Sequence, residues 1–146
     1  MKGKICLLAV IALCCALLCG CRQEPRAEEP ALVMGFSQLG SESSFRIGNT
    51  RDIEAQAQAY GVSLMMDDAK QKQENQIDAI RRFIAYRVDV IAFSPIVEDG
   101  WDTVLTEAKN AGIPVVLVDR TINTGDDSLY AGLIGSDFYR EGVMAA

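Results

Sequence analysis

Five planar polar side chains and one aromatic ring carry the most specific chemistry in this sequence. Four of the polar residues lie within two positions of the end of a short apolar run; they are Gln38, Asp68, Asp119 and Arg120. Phe45 supplies the ring, and Arg46 beside it adds a second guanidinium. A carboxylate accepts hydrogen bonds from neighbouring hydroxyl groups, a guanidinium donates to them, and an aromatic ring packs against C–H faces. This combination favours the binding of a carbohydrate.

The same residues also have plainer interpretations. Asp119 and Arg120 can form a structural ion pair with neighbouring loops, and Phe45 can pack in the core or act as a hydrophobic staple at a helix entry. Trp101 is a further ring, but it lies on the apolar stripe of a helix, which favours a place in the core. Arg46 falls in a segment that could be a solvent-facing loop. The sequence leaves these alternatives open.

The segments that must position these residues alternate between strands and helices. The predicted strands are Leu32–Phe36, Val62–Met66, Val88–Phe93, Ile113–Val118 and Leu129–Ile134. Nearly continuous apolar content, as in Val115–Val118, is typical of strands that are buried on both faces. Strands alternating with helices predict a parallel sheet, and open sheets of this kind bind ligands at the edge where their strands end. We therefore expect the polar residues to meet along one edge.

Amphipathic helices are predicted between the first four strands. They are Ser44–Tyr60, the stretch from Lys72 to Arg87, and the stretch from Trp101 to Gly112. Right-handed crossovers would place them on both faces of the sheet, which predicts a three-layer, doubly wound α/β fold. The first helix stops at Gly61, a residue suited to the left-handed position after a helix. Asp137–Ala146 is similar to the start of a further helix, so we expect the fold to be incomplete at Ala146.

The first 31 residues predict export from the cell rather than folded structure. Lys2 and Lys4 precede an uncharged apolar stretch from Ile5 to Cys19, which is typical of a secretory signal and short for a membrane-spanning helix. A short membrane anchor or a buried helix is the alternative. The following residues contain two prolines, three glutamates and almost nothing apolar, as disordered tethers do. We expect a signal peptide over 1–20, a tether over 21–31 and a folded lobe over 32–146.

Composition argues against several functional classes. The chain has 14 basic and 20 acidic residues, and its predicted signal peptide contains two of the bases and no acid. That acidity disfavours nucleic acid as a partner. There is no histidine, which excludes Ser-His-Asp and Cys-His catalysis, and all five cysteines occur by residue 21, which excludes a disulfide beyond it. No phosphate-binding glycine motif follows a strand. We expect neither catalysis nor a cofactor.

A metal site is the remaining chemical alternative. Asp67, Asp68 and Asp119 follow predicted strands, and carboxylates at strand ends hold Mg²⁺ in receiver-type α/β domains. That pattern needs its acids after the first and third strands, where this chain has Gln38 and Ser94. Solvated acids or helix caps explain the aspartates equally well. We expect no metal ion.

Three stretches of the sequence resemble one protein family. They are Gly35–Arg46, Lys72–Ile77 and Ile113–Arg120. All three are similar to the periplasmic sugar-binding proteins of bacterial ABC importers, of the ribose-binding type. The first two resemble the branch that binds galactofuranose. In addition, Leu18–Cys21 resembles a bacterial lipobox, in which Cys21 would be lipidated.

The resemblance implies a two-lobed protein that closes over a monosaccharide and delivers it to a membrane permease. This chain, about half as long as such a protein, would be the N-terminal lobe, exported to the periplasm and anchored through Cys21. The family motif would place Phe45 and Arg46 on the loop after the first strand, facing the sugar. Asp119 and Arg120 would bind its hydroxyl groups. A receptor that signals a sugar or autoinducer to a membrane histidine kinase would have the same fold, and it remains the alternative.

Overall fold

The structure, a computed structural model, describes residues 31–146. The predicted signal peptide over 1–20, Cys21 and the tether as far as Pro30 lie outside the described residues. Ala31 and Leu32 are exposed and precede the first strand, which begins at Val33. Within the described range, no helix is both long and apolar enough to cross a membrane.

In the described part of the chain, five parallel strands form one sheet in the order β2-β1-β3-β4-β5. The strands are β1 Val33–Gln38, β2 Ser63–Asp68, β3 Val90–Phe93, β4 Val115–Val118 and β5 Gly132–Ile134. All four neighbouring pairs run in parallel, which confirms the predicted sheet. The first two strands continue beyond their apolar runs. As a result, Gln38 and Asp68 lie inside strands and face each other in register.

Among residues 31–146, four α-helices accompany the sheet. They are α1 Ser44–Ala59, α2 Gln73–Tyr86, α3 Asp102–Asn110 and α4 Phe138–Ala145, and a short 3₁₀ turn covers Asp127–Leu129. The chain passes from β1 to β2 on one side and from β2 past β1 to β3 on the other. Because such connections are right-handed, α1 lies on one face of the sheet while α2 and α3 lie on the opposite face. This arrangement confirms the three-layer, doubly wound α/β fold.

Local signals fix the ends of α1. The Ser43 hydroxyl accepts a hydrogen bond from the Arg46 backbone N–H at 3.2 Å, which caps the helix. At the other end Gly61 has φ +68, the left-handed conformation predicted for it. The cap at Ser43 places Phe45 and Arg46 in the first helical turn. The implied loop position of these two residues is therefore wrong.

The main apolar core lies between the sheet and the pair α2 and α3. Its large side chains include Ile80, Phe83, Phe93, Trp101, Leu105 and Leu117. Trp101 is fully buried, its ring lies 4.8 Å from that of Phe93, and its indole N–H donates to the Val97 carbonyl at 2.8 Å. The core interpretation of Trp101 is thus confirmed, and this ring does not take part in the polar edge.

Close packing of α2 on β1 requires a glycine. A Cβ added at Gly35 would lie 2.5 Å from Cγ of Phe83, too close for any side chain without movement. The absence of a side chain lets the Phe83 ring rest directly on the strand. Gly35 therefore sets the spacing between α2 and the strand that ends at Gln38.

Candidate functional site

The carboxyl ends of the first four strands bring the predicted polar residues to one edge of the sheet. Gln38 and Asp68 are neighbours across β1 and β2. The Ser94 N–H donates to the Ser37 carbonyl at 3.3 Å, which places the end of β3 beside β1. Asp119 and Arg120 follow β4 directly. We call the set Gln38, Asp68, Ser94, Asp119 and Arg120 the carboxyl edge.

Arg46 ties three elements together at the carboxyl edge. Its Nη2 donates to Oδ2 of Asp119 at 2.7 Å, and its Nη1 lies 3.4 Å from the Ser94 hydroxyl, a longer and weaker hydrogen bond. The Arg46 residue is only 6% exposed, whereas the Asp119 side chain is 27% exposed. A buried guanidinium needs such a partner, because an isolated charge is costly away from water. The pair therefore holds the start of α1 against the ends of β3 and β4.

Phe45 presents its ring to solvent beside this ion pair. The residue is 63% exposed, and Cζ of Arg46 lies 5.1 Å from the ring centroid. That distance is within the range of a cation–π contact, which helps to orient the ring. The alternative that Phe45 packs in the core is wrong. The exposed face remains available to a ligand.

The backbone at Asp119 is held in an unusual conformation. Its φ of +69 lies in the left-handed region, which aspartate tolerates better than most residues. The Asp119 N–H donates to the Ile134 carbonyl at 2.7 Å, and a Cβ at Gly135 would lie 3.1 Å from the Asp119 carbonyl oxygen. These contacts with the end of β5 fix the turn and therefore the direction of the carboxylate.

The side-chain amide of Gln38 forms hydrogen bonds with other residues of the lobe. The residue is 2% exposed, and its Nε2 donates to Oδ1 of Asn49 at 2.9 Å and to Oγ1 of Thr50 at 3.3 Å. Its Oε1 accepts from the Leu39 N–H at 3.1 Å. Gln38 thus fastens α1 to β1. A direct role for it in binding stays a prediction.

Asp68 stabilises a turn at the end of β2. Its Oδ1 accepts a hydrogen bond from the Lys70 N–H at 2.8 Å, and Lys70 and Gln71 have positive φ values of 52 and 59. The residue is exposed, and Oδ2 has no hydrogen-bond partner within residues 31–146. One carboxylate oxygen therefore faces water at the end of β2.

Arg120 borders an open cleft of about 350 Å³. The cleft lies between the loops that follow β3 and β4, and its lining includes Glu98, Ile96 and the largely exposed ring of Phe138. Asp119 and Arg120 are thus adjacent in sequence but have different surroundings. The interpretation of Asp119 as part of an ion pair is confirmed, yet its partner is Arg46 from α1, 73 positions away, and not a residue of a neighbouring loop.

Ser94 belongs to the carboxyl edge, although the sequence did not predict it as a site residue. It is fully buried, its hydroxyl accepts from Arg46, and its carbonyl accepts from Nε2 of Gln76 at 2.8 Å. The available signal was its position, since Ser94 follows the third apolar run just as Asp119 follows the fourth. Because hydroxyl side chains are common in loops, this position alone does not indicate a site residue.

The edge has the means to bind a neutral, polyhydroxylated molecule. Together with Arg46 and Phe45 from the first turn of α1, it offers two carboxylates, two guanidinium groups and an exposed ring. Among the described residues 31–146, no group of three or more histidine, cysteine, aspartate or glutamate side chains could hold a metal ion. The side chains present at this edge offer hydrogen bonds and ring packing to a ligand.

Comparison with known families gives a match over residues 34–146, to the family described as "Periplasmic binding protein domain". Among curated proteins, the galactofuranose-binding protein YtfQ of Escherichia coli K12 is 48% identical over 113 residues. That alignment covers 77% of this chain and 36% of the relative. The chain therefore spans about a third of the length of YtfQ.

Two solved structures are similar to the described lobe. A protein from Mycobacterium smegmatis in complex with β-D-fucofuranose superposes with a TM-score of 0.76 at 54% identity, covering 79% of this chain and 38% of that one. The periplasmic binding component of the arabinose ABC transporter from Shewanella sp. ANA-3 was solved with α- and β-L-arabinofuranose bound. It superposes with a TM-score of 0.74 at 54% identity and covers 75% of this chain and 36% of that one.

Proposed function

Since the chain belongs to the periplasmic binding protein domain family, we propose that it forms the N-terminal sugar-binding lobe of a substrate-binding protein that serves an ABC importer. The observation that carries this proposal is the ion pair of Arg46 and Asp119 beneath the exposed ring of Phe45, all at the carboxyl edge of a parallel sheet. Such edges are where open α/β sheets bind ligands. The expected ligand is a monosaccharide.

We assign roles to the edge residues from their chemistry. Phe45 packs against a C–H face of the sugar ring, and the partly exposed carboxylate of Asp119 accepts hydrogen bonds from hydroxyl groups. Arg46 and Arg120 donate to ring or hydroxyl oxygens. Asp68 can accept from a hydroxyl at the border of the site. Gln38 acts through the position of α1, unless a ligand displaces one of its internal partners.

A furanose is the favoured class of sugar. Three relatives at about half sequence identity are named for galactofuranose or were solved with fucofuranose or arabinofuranose. A furanose ring exposes a flat C–H surface with hydroxyls at its margin, which suits one exposed phenyl ring beside a carboxylate and guanidinium groups. The same chemistry would accept related pyranoses with lower affinity.

Transport rather than catalysis is the proposed role. The protein would hold the sugar outside the cytoplasmic membrane and release it to a permease. We propose export by the signal peptide over 1–20 and anchoring of Cys21 to lipid, on the strength of their sequence pattern. Sensing by way of a membrane histidine kinase has less support, because the arabinofuranose-bound relative is named as a transporter component.

Isothermal titration calorimetry on the full-length protein tests the proposal. The panel contains galactofuranose, arabinofuranose and fucofuranose, with galactopyranose, ribose and an amino acid for comparison. We expect saturable binding of at least one furanose, and weaker binding of its pyranose form. Lack of heat and of any thermal stabilisation across all the sugars would contradict the proposed function.

A further inference from the structure

In the first turn of α2, the side-chain amide of Gln76 forms hydrogen bonds with the loop after β3. Gln76 is fully buried. Its Nε2 donates to the Ser94 carbonyl at 2.8 Å, and its Oε1 accepts from the Ile96 N–H at 3.0 Å. The two hydrogen bonds reach the residues on either side of Pro95, which has no N–H of its own. One side chain thus satisfies both the acceptor and the donor of this bend.

The hydrogen bonds of Gln76 connect to the carboxyl edge through Ser94. Ser94, whose carbonyl it holds, accepts a hydrogen bond from Arg46 through its hydroxyl. Arg46 in turn donates to Asp119 at 2.7 Å. A continuous path of hydrogen bonds therefore joins α2, on one face of the sheet, to the start of α1 on the other.

Neighbouring amides in the same turn make similar contacts. Nε2 of Gln73 donates to the Asp99 carbonyl at 2.6 Å, and Nδ2 of Asn75 donates to the Ala69 carbonyl at 2.8 Å. The loops after β2 and β3 are therefore both fastened to α2. Of the three amides, Gln76 alone is fully buried and contacts a residue of the carboxyl edge.

We propose that Gln76 is a positioning residue for sugar binding, which sets the Ser94 loop and, through it, the Arg46 side chain before the ligand arrives. This inference rests on the proposed function. It assigns Gln76 no contact with the sugar. Its effect on affinity comes from a site that is already arranged and therefore needs no ordering when the sugar binds.

Only an amide of this length can serve both partners. Methionine has nearly the same shape but can neither donate to the Ser94 carbonyl nor accept well from the Ile96 N–H. Ionised glutamate retains the acceptor and loses the donor, and it places an uncompensated charge at a buried position. In either variant a buried backbone group loses its partner, which favours movement of the loop towards water.

The test compares Gln76→Met with Gln58→Met in the full-length protein. Gln58 lies on the exposed side of α1 and provides the same substitution away from the edge. Affinity for the best furanose of the panel is measured at a temperature where circular dichroism shows each variant to be folded. We expect Gln76→Met to bind roughly tenfold more weakly and Gln58→Met to bind as the unchanged protein does. If Gln76→Met does not fold, Gln76→Glu replaces it, and the same loss is expected.

A double-mutant cycle with Ser94→Ala separates positioning from a general structural role. If Gln76 acts through Ser94, the loss caused by Gln76→Met becomes much smaller once the Ser94 hydroxyl is absent. Full additivity of the two losses, or unchanged affinity in Gln76→Met, would overturn the inference while leaving the proposed function intact. Failure of the unchanged protein to bind any sugar would overturn both.

Discussion

The two faces of the sheet are packed in different ways. The face under α2 and α3 is filled by large apolar side chains, with Trp101 and Phe93 at its centre. On the opposite face α1 buries only Arg46 and Ala57 among its 16 residues. Phe36 of β1 is buried on that side, whereas Ile134 in the outermost strand β5 is largely exposed.

This difference indicates that the main apolar core and the proposed binding site lie in separate parts of one lobe. The α2 and α3 face gains its stability from apolar area removed from water. The large group that α1 buries is a charge, and it is held by Asp119 and Ser94 at the carboxyl edge. Substitutions on the first face should therefore change the free energy of unfolding, whereas those near Arg46 should change ligand affinity more.

The largest expected effect is on the densely packed face. Trp101→Ala should lower the free energy of unfolding by about 3–5 kcal/mol, because it leaves a cavity and removes the donor to the Val97 carbonyl. Ile53 is half-buried in α1, and Ile53→Ala should lower the free energy of unfolding by no more than about 1.5 kcal/mol. Urea denaturation of both variants measures the two values. Equal losses would show that the two faces contribute alike.

Gly35 offers a sharper test of the spacing between α2 and the sheet. Gly35→Ala should destabilise the lobe by about 1–3 kcal/mol, because the new Cβ meets the Phe83 ring. The matched control is Gly48→Ala in α1, where an added Cβ has no neighbour within 4 Å. That change should stabilise by up to about 1 kcal/mol, since alanine favours a helix. A neutral Gly35→Ala, measured by the same denaturation, would contradict the close approach.

The ion pair should respond unequally to removal of its two members. Asp119→Asn leaves the buried Arg46 guanidinium without its counter-charge, and we expect a loss of about 1–3 kcal/mol. Arg46→Met leaves a carboxylate that can reach water, so its loss should be the smaller. Both variants should bind sugar at least tenfold more weakly. A larger loss of stability in Arg46→Met would contradict this account of burial.

The smallest expected effect concerns the outer surface of α2 and α3. Hydrogen bonding from the Arg81 side chain lowers the pKa of Glu107 below its ordinary value of 4.5. The pair therefore contributes to stability above that pH, and the contribution is lost as the pH falls through the lowered pKa. Glu107→Gln should slightly reduce the unfolding midpoint at neutral pH and flatten its decline in acid. If the unfolding midpoint of the variant declines in acid just as that of the unchanged protein does, Glu107 does not contribute to the loss of stability at low pH.

The fold was predictable because its signals are local. Apolar runs bounded by polar residues predicted five parallel strands, and the Gly61 position predicted the end of α1. The strand ends then placed Asp119 and Asp68 at one edge without further information. The limits of the strands differ: β1 and β2 extend into the polar residues that follow their apolar runs, whereas the predicted fifth strand begins only at Gly132, after a 3₁₀ turn that ends at Leu129.

The contacts within the site were less predictable because they join distant parts of the chain. Nothing in the spacing around Asp119 indicates that its partner is Arg46. In α1 the buried positions are a charge and a small residue, so hydrophobic periodicity does not reveal which side faces the sheet. Gln76 belongs to a polar stretch that looks solvated in sequence, and its burial follows only from the loop that closes over it.

Affinity of the Phe45→Ala variant for a furanose tests the central claim most directly. Because the Phe45 ring is 63% exposed, its removal should leave the unfolding midpoint nearly unchanged. We predict that the full-length protein binds a furanose and that Phe45→Ala, equally stable, binds it at least tenfold more weakly. Equal affinity of the two proteins for that sugar would contradict the assignment of the carboxyl edge as the binding site.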